Sequence, residues 1–163
     1  MTIRKIGETP CAAIALAIAL TLGATPVPGL QLSRAFAVDN MSSSAAPDLT
    51  SVRAKIAAKN YSSAIEELRG LADTNQHADV YNLLGYSLRK SGDFKTSLTY
   101  YTKALEFQPD HKAAREYLGE LYVETGNLEK AREQLAALVK LCPAGCEERT
   151  DLEKALAAKS ASN

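Results

Sequence analysis

From residue 78 onward the apolar positions recur at intervals of three and four. Tyr81, Leu84 and Leu88 share one face of a helix over Ala78–Lys90, and Leu98, Tyr101, Ala104 and Leu105 share one face of a second over Phe94–Phe107. Ser91-Gly92-Asp93 between them predicts a turn in which Gly92 takes the left-handed backbone that a residue with a Cβ resists. Pro109 ends the pair, and Asp110 is placed to cap the next helix. The order then returns with Leu118, Tyr122, Gly126, Leu128, Ala131, Leu135, Leu138 and Pro143. Leu84 and Leu118, Gly85 and Gly119, Gly92 and Gly126, and Pro109 and Pro143 are each separated by one and the same interval. One period shared by four pairs means stacked repeats.

Upstream, Lys59 to Ala64, with Leu68 and Leu71, matches the turn and second helix of such a unit. Its first helix, from about Leu49 to Ala58, has Ser51-Val52 where the later units have Leu-Gly, and the unit is one residue short, so it reads as a degenerate first repeat. Downstream, residues 147–158 place Leu152, Ala155 and Leu156 on one face, while Glu147, Glu148, Arg149, Glu153, Lys154 and Lys159 supply a polar exterior. A repeat array ends in a helix of that kind.

These residues resemble the tetratricopeptide repeat. Its pattern of a large residue, Leu-Gly, Tyr, a small residue, an aromatic, Ala and Pro falls on Tyr81, Leu84-Gly85, Leu88, Ser97, Tyr101, Ala104 and Pro109. In the next unit it falls on Arg115, Leu118-Gly119, Tyr122, Ala131, Leu135, Leu138 and Pro143, where Arg115 and Leu138 depart from the pattern and imply looser packing. The resemblance covers roughly residues 48–143. It implies an all-α, right-handed superhelix of about three helix pairs, over 48–77, 78–110 and 111–144, closed by a cap at 147–158 and followed by a tail at 159–163. Gly85 and Gly119 are expected where the two helices of a unit touch, because close crossing needs a residue without a side chain.

The beginning of the chain reads differently. Arg4 and Lys5 precede an apolar run from Cys11 to Leu22, and Ala35-Phe36-Ala37 offers small residues for cleavage. That order predicts a secretory signal over residues 1–37, followed by a flexible, Ser-rich linker over 38–47. The competing reading is a retained membrane anchor, but the run is shorter than the roughly 20 apolar residues a bilayer requires. The expected location is the bacterial periplasm, with no membrane insertion after cleavage. Lys+Arg and Asp+Glu balance at 19 each, which disfavours a nucleic-acid partner.

Chemistry is sparse. His77 and His111 occupy equivalent turns one repeat period apart, which reads as a structural role and argues against one shared centre. The Glu pairs Glu66-Glu67 and Glu147-Glu148 read as solvated faces. Neither a phosphate-binding loop nor an activated serine pattern is present, and no cofactor or metal is expected. Cys142 and Cys146 form an even pair if the chain is exported, and a structural disulfide is the first reading. Its rival is a thiol–disulfide redox protein, although such motifs place two residues between the cysteines and this pair has three.

The resemblance also implies where a ligand sits, since first helices line the concave side of such arrays. By position this gives Arg53, with Leu49, Ile56 and Ala57, from the first unit. The second gives Asn82, Tyr86, Arg89 and Lys90, and the third Glu116, Glu120 and Glu124, with Val123. The expected function is a noncatalytic scaffold or adaptor whose groove, basic at one end and acidic at the other, holds a peptide or protein. The alternatives are the redox protein and a purely structural subunit of an envelope complex.

Overall fold

The computed structural model describes residues 46–161. The signal and nearly all of the linker expected from the sequence lie outside these residues. The described chain contains seven helices: α1 (Thr50–Ala57), α2 (Tyr61–Thr74), α3 (Ala78–Lys90), α4 (Phe94–Phe107), α5 (Lys112–Glu124), α6 (Leu128–Leu141) and α7 (Glu147–Ala161). They pack as successive pairs, α1 with α2, α3 with α4 and α5 with α6, and α3 also meets α2 and α5. The architecture is an all-helical repeat array.

Each turn inside a pair uses the same local chemistry. The side chains of Asn60, Asp93 and Asn127 accept from the backbone N–H groups of Ser63, Thr96 and Lys130, three residues on. This supplies one of the donors that a helix start leaves open with a partner. Gly92 and Gly126 precede two of these caps at φ +86° and +81°, and the first unit puts Lys59 there at φ 58°. That lysine is the degenerate repeat's departure at a position where the others use glycine, and it strains the backbone.

Between pairs, the caps are histidines. His77 Nδ1 accepts from the Asp79 N–H at 3.2 Å and His111 Nδ1 from the Ala114 N–H at 3.1 Å. Asp110 is therefore not the cap of α5; its neighbour is. An Nδ1 that accepts is unprotonated, so the His111 ring carries its proton on Nε2 and donates it to Asp79 Oδ1 at 3.0 Å. The His77 ring lies 3.6 Å from the other Asp79 oxygen. The two histidines thus meet at one carboxylate, contrary to the expectation that equivalent turns keep them apart, and His111 ties α5 back to α3.

The core follows the repeat positions. Tyr81, Leu84, Tyr101, Ala104, Leu121, Ala131 and Leu138 are buried. A Cβ on Gly85 would stand 2.7 Å from the Tyr101 ring of α4, so this glycine lets the two helices of its unit touch. Gly119 differs from expectation. A Cβ there would stand 2.5 Å from Leu152 of α7, not against its own partner helix α6. Leu135 stands in this unit where Tyr101 stands in the one before. Leu152 follows Leu118 by one further repeat period, so α7 continues the register as another first helix and packs on α5. It runs to Ala161, beyond the expected end at 158.

Arg115, in the slot for a large apolar residue, donates from Nε and a terminal nitrogen to the Pro109 carbonyl and reaches Gln134 at 3.2 Å. Among the described residues no helix is long and apolar enough to cross a membrane.

Candidate functional site

The first helices α1, α3 and α5 follow one another across the array and together line a shallow depression of about 270 Å³. Arg53, Ile56 and Ala57 come from α1, Leu83 and Tyr86 from α3, and Tyr117 from α5. Four of these were expected. Leu83 and Tyr117 were not, although they are one repeat period apart and so occupy equivalent positions. Extending the expected face by one residue from Asn82 and Glu116 would have found both. Tyr86 and Tyr117 meet with ring centroids 5.0 Å apart and form the aromatic wall.

Beside this wall the polar residues behave unlike a solvated groove. Arg89 is 3% exposed, with its guanidinium 5.6 Å from the centre of the Tyr86 ring and 5.8 Å from that of Tyr117. It donates to Glu120 at 2.5 Å and to Glu124 at 2.7 Å. Burial works against its charge, but Tyr101 and the carboxylates of Glu120 and Glu124 outweigh burial, and the group stays charged. The expected basic end and acidic end of the groove are therefore joined. Arg89 is not free to receive a ligand; it holds α3 to α5.

Asn82 is 4% exposed, and its Oδ1 has no hydrogen-bond partner among the described residues. Glu116, the equivalent residue of the next repeat, is 8% exposed. Burial foremost, then repulsion from Glu120, Asp151 and Glu148, pushes its carboxyl up to about 8. Burial likewise raises the Tyr86 hydroxyl and pushes that of Tyr117 up to about 12, so both remain neutral at physiological pH. Of the eight polar residues expected in the groove, only Arg53 and Lys90 are exposed and without an ion pair among the described residues, and Lys90 lies 5.4 Å over the Tyr86 ring.

Other expected surface residues are also engaged. Lys103 of α4 is half-buried with its ammonium 4.4 Å over the Tyr81 ring. Glu67 accepts from Lys55 and Ser51, and Glu148 is half-buried beside Glu116, so neither belongs to a simply solvated face. Cys142 ends α6 and Cys146 precedes α7, with their Cα atoms 6.0 Å apart, a spacing that suits a bridge. Among the described residues no group of three or more His, Cys, Asp or Glu is arranged to hold a metal ion.

Residues 82–145 match the model of the tetratricopeptide repeat family. The chain is 32% identical over 77 residues to BBSome complex member BBS4 of Bos taurus, covering 47% of this chain and 15% of that protein. It is 30% identical over 70 residues to the uncharacterised protein ycf37 of Guillardia theta, covering 43% of this chain and 39% of that one. It therefore spans less than half the length of either curated relative. The fold is similar to PcrH in its crystal structure with the chaperone binding region of PopD, with TM-score 0.58, 16% identity, and coverage of 68% of this chain and 86% of that one. The repeat register, the stacked helix pairs and the family match agree that residues 82–145 of this chain carry tetratricopeptide repeats.

Proposed function

We propose that the chain is a noncatalytic interaction module that holds a segment of a partner protein across α1, α3 and α5. The observation that carries this reading is the depression to which three successive repeats contribute Ile56, Leu83, Tyr86 and Tyr117. Its shape suits a linear segment with an apolar anchor better than a compact small molecule, which would call for a deeper enclosure. The similar fold of PcrH, solved in complex with the chaperone binding region of PopD, supports binding of a segment of another protein. Export to the bacterial envelope belongs to the proposal and rests on the charged, apolar and small-residue order of residues 1–37. A Cys142–Cys146 bridge would accompany it.

A photo-crosslinking residue placed at Ile56 tests the groove, with the same residue at exposed Glu106 on α4 as the control. A defined partner adduct from Ile56 alone is expected. Equal adducts from both positions, or none from Ile56 in cells that contain the partner, would remove the groove from the reading. Intact mass of protein from its native host tests export, with a chain beginning at Val38 expected.

The rival redox reading draws on Cys146, which immediately precedes α7, where a helix N-terminus lowers a thiol's pKa. Turnover of a dithiol substrate by the chain would favour it. A bridge inert to mild reductant favours the interaction module.

A further inference from the structure

We infer that the seam between α5 and α7 is a receptor for a lysine or arginine side chain of the bound segment, with Glu116 as its inner carboxylate. This deepens the groove reading and rests on it. Glu116 and Glu120 stand one turn apart on α5, and Glu148 and Asp151 stand on the opening turns of α7, which packs against it. Glu120, Asp151 and Glu148 all repel charge on the Glu116 carboxyl across the packed α5 and α7 helices.

Glu116 itself supplies the second observation. It is more than nine-tenths buried, yet it enters no hydrogen bond and no ion pair among the described residues. Arg89 is the cation whose field reaches it, but that guanidinium is already held by Glu120 and Glu124. Lys154 engages Asp151 from the solvent side, with its own side chain 71% exposed. A desolvated carboxyl without a partner is a standing cost, and a basic side chain brought by a ligand would offset it with charge-assisted hydrogen bonds.

The placement fits one ligand. Tyr117, next to Glu116 in sequence, lines the apolar depression. A segment that seats an apolar residue on Ile56, Leu83, Tyr86 and Tyr117 carries its following side chains toward α7. The occupant is thus a peptide segment with an apolar anchor and a nearby Lys or Arg, and opposite charge fixes its register.

Proton linkage follows. In the free chain burial, followed by repulsion from Glu120, Asp151 and Glu148 and opposed by Arg89, holds the Glu116 carboxyl near 8, so it is largely protonated at neutral pH. A cation entering the seam expels that proton. Affinity for the basic segment therefore rises from pH 6 to pH 9, a window in which Tyr86 and Tyr117 stay neutral.

The test selects random twelve-residue peptides displayed on phage against three immobilised full-length chains: unaltered, Glu116→Gln, and Glu129→Gln on exposed α6. Peptides enriched on the unaltered chain and the Glu129→Gln control are expected to carry Lys or Arg at a fixed distance from an apolar residue. Replacing that basic residue by norleucine in synthetic copies should weaken binding about tenfold, and on Glu116→Gln the same replacement should cost less than about threefold. Binding of the basic peptide to the unaltered chain should release a proton at pH 7. Thermal melting verifies that each variant is folded. Enriched peptides without a basic residue, or an unchanged lysine preference on Glu116→Gln, overturn the receptor and leave the groove reading intact. If no peptide is enriched on the unaltered chain, or the enriched peptides bind a folded Ile56→Asp chain equally well, the groove reading falls and the receptor falls with it.

Discussion

The second and third repeats are written on one template, and they diverge at its centre. In the second, Gly85 is covered by Tyr101 of its own α4, and Asn82 and Arg89 occupy the face toward the groove. In the third, Leu135 replaces the tyrosine, Leu152 of the following helix covers Gly119, and Glu116 and Val123 stand where Asn82 and Arg89 stood. The second repeat covers its glycine from within; the third has its glycine covered by the next helix. A register fixed by glycine, leucine and proline therefore leaves free both the source of the packing and the charge of the face.

The largest expected effect comes from the ion network that joins the two repeats. Arg89→Glu would place a third carboxylate beside Glu120 and Glu124 under two aromatic rings. A loss of about 3–5 kcal/mol of folding stability is expected, read by urea denaturation. Arg89→Leu sharpens the point, because Glu120 and Glu124 keep 25% and 40% side-chain exposure and can rehydrate. It should cost far less than Arg89→Glu. Equal losses would show that losing the guanidinium, rather than adding a third carboxylate, carries the cost.

Glu116→Gln should go the other way. Its folded carboxyl, pushed up to about 8, lies above its ordinary value of 4.5, so protonation favours the folded chain and that contribution fades as pH rises through 8. Glutamine is neutral throughout. The variant should match the unaltered chain at pH 4 and exceed it by roughly 1–3 kcal/mol at pH 8. Asn82→Asp asks the complementary question in the second repeat and should introduce a similar pH dependence there. Denaturation curves at the two pH values measure both.

Reduction of the Cys142–Cys146 pair acts only on the repeat whose glycine the next helix covers. A loop this short removes little unfolded-chain entropy, about 2 kcal/mol at most. Hydrogen exchange should show α7 losing protection first while α3 keeps it. Uniform loosening would mean that α7 is no more dependent on its tether than the rest.

What was legible in the sequence was whatever the period repeats. Helix ends at Gly92 and Gly126, the pairing of α3 with α4, and the closing helix follow from turn chemistry and apolar spacing, which are local. Contacts between repeats were not legible. Arg89 reads as a free groove cation because nothing within its own helix reveals that Glu120 and Glu124, on the first helix of the next repeat, close on it. Lys103 reads as outward for the same reason, since its partner Tyr81 lies on another helix. Glu116 is buried and feels Asp151 and Glu148 of α7, while the sequence shows only a charged residue at an exposed-looking position. The histidine caps were half legible: their turns were located, but Asp110 offered the commoner capping side chain.

The smallest effects, and the most direct contrast, belong to the two glycines. Alanine in a helix gains about 1 kcal/mol over glycine in propensity, and this offsets part of any steric cost. At Gly85 the new methyl meets the Tyr101 ring, fully buried and unable to shorten, so overpacking of roughly 1–3 kcal/mol exceeds the gain. A net loss of about 1 kcal/mol is expected. At Gly119 the methyl meets Leu152, as buried as Tyr101, but first at its two terminal carbons, the flexible end of the side chain, which a change of rotamer moves. Gly119→Ala should therefore lie within about 0.5 kcal/mol of the unaltered chain. Reduction of the cysteine pair should remove even that residual cost by letting α7 shift, while leaving Gly85→Ala unchanged. Melting temperatures of both variants, oxidised and reduced, decide it. If both glycines respond alike in the two states, Leu152 is as tightly held as Tyr101, and the third repeat is not the looser one.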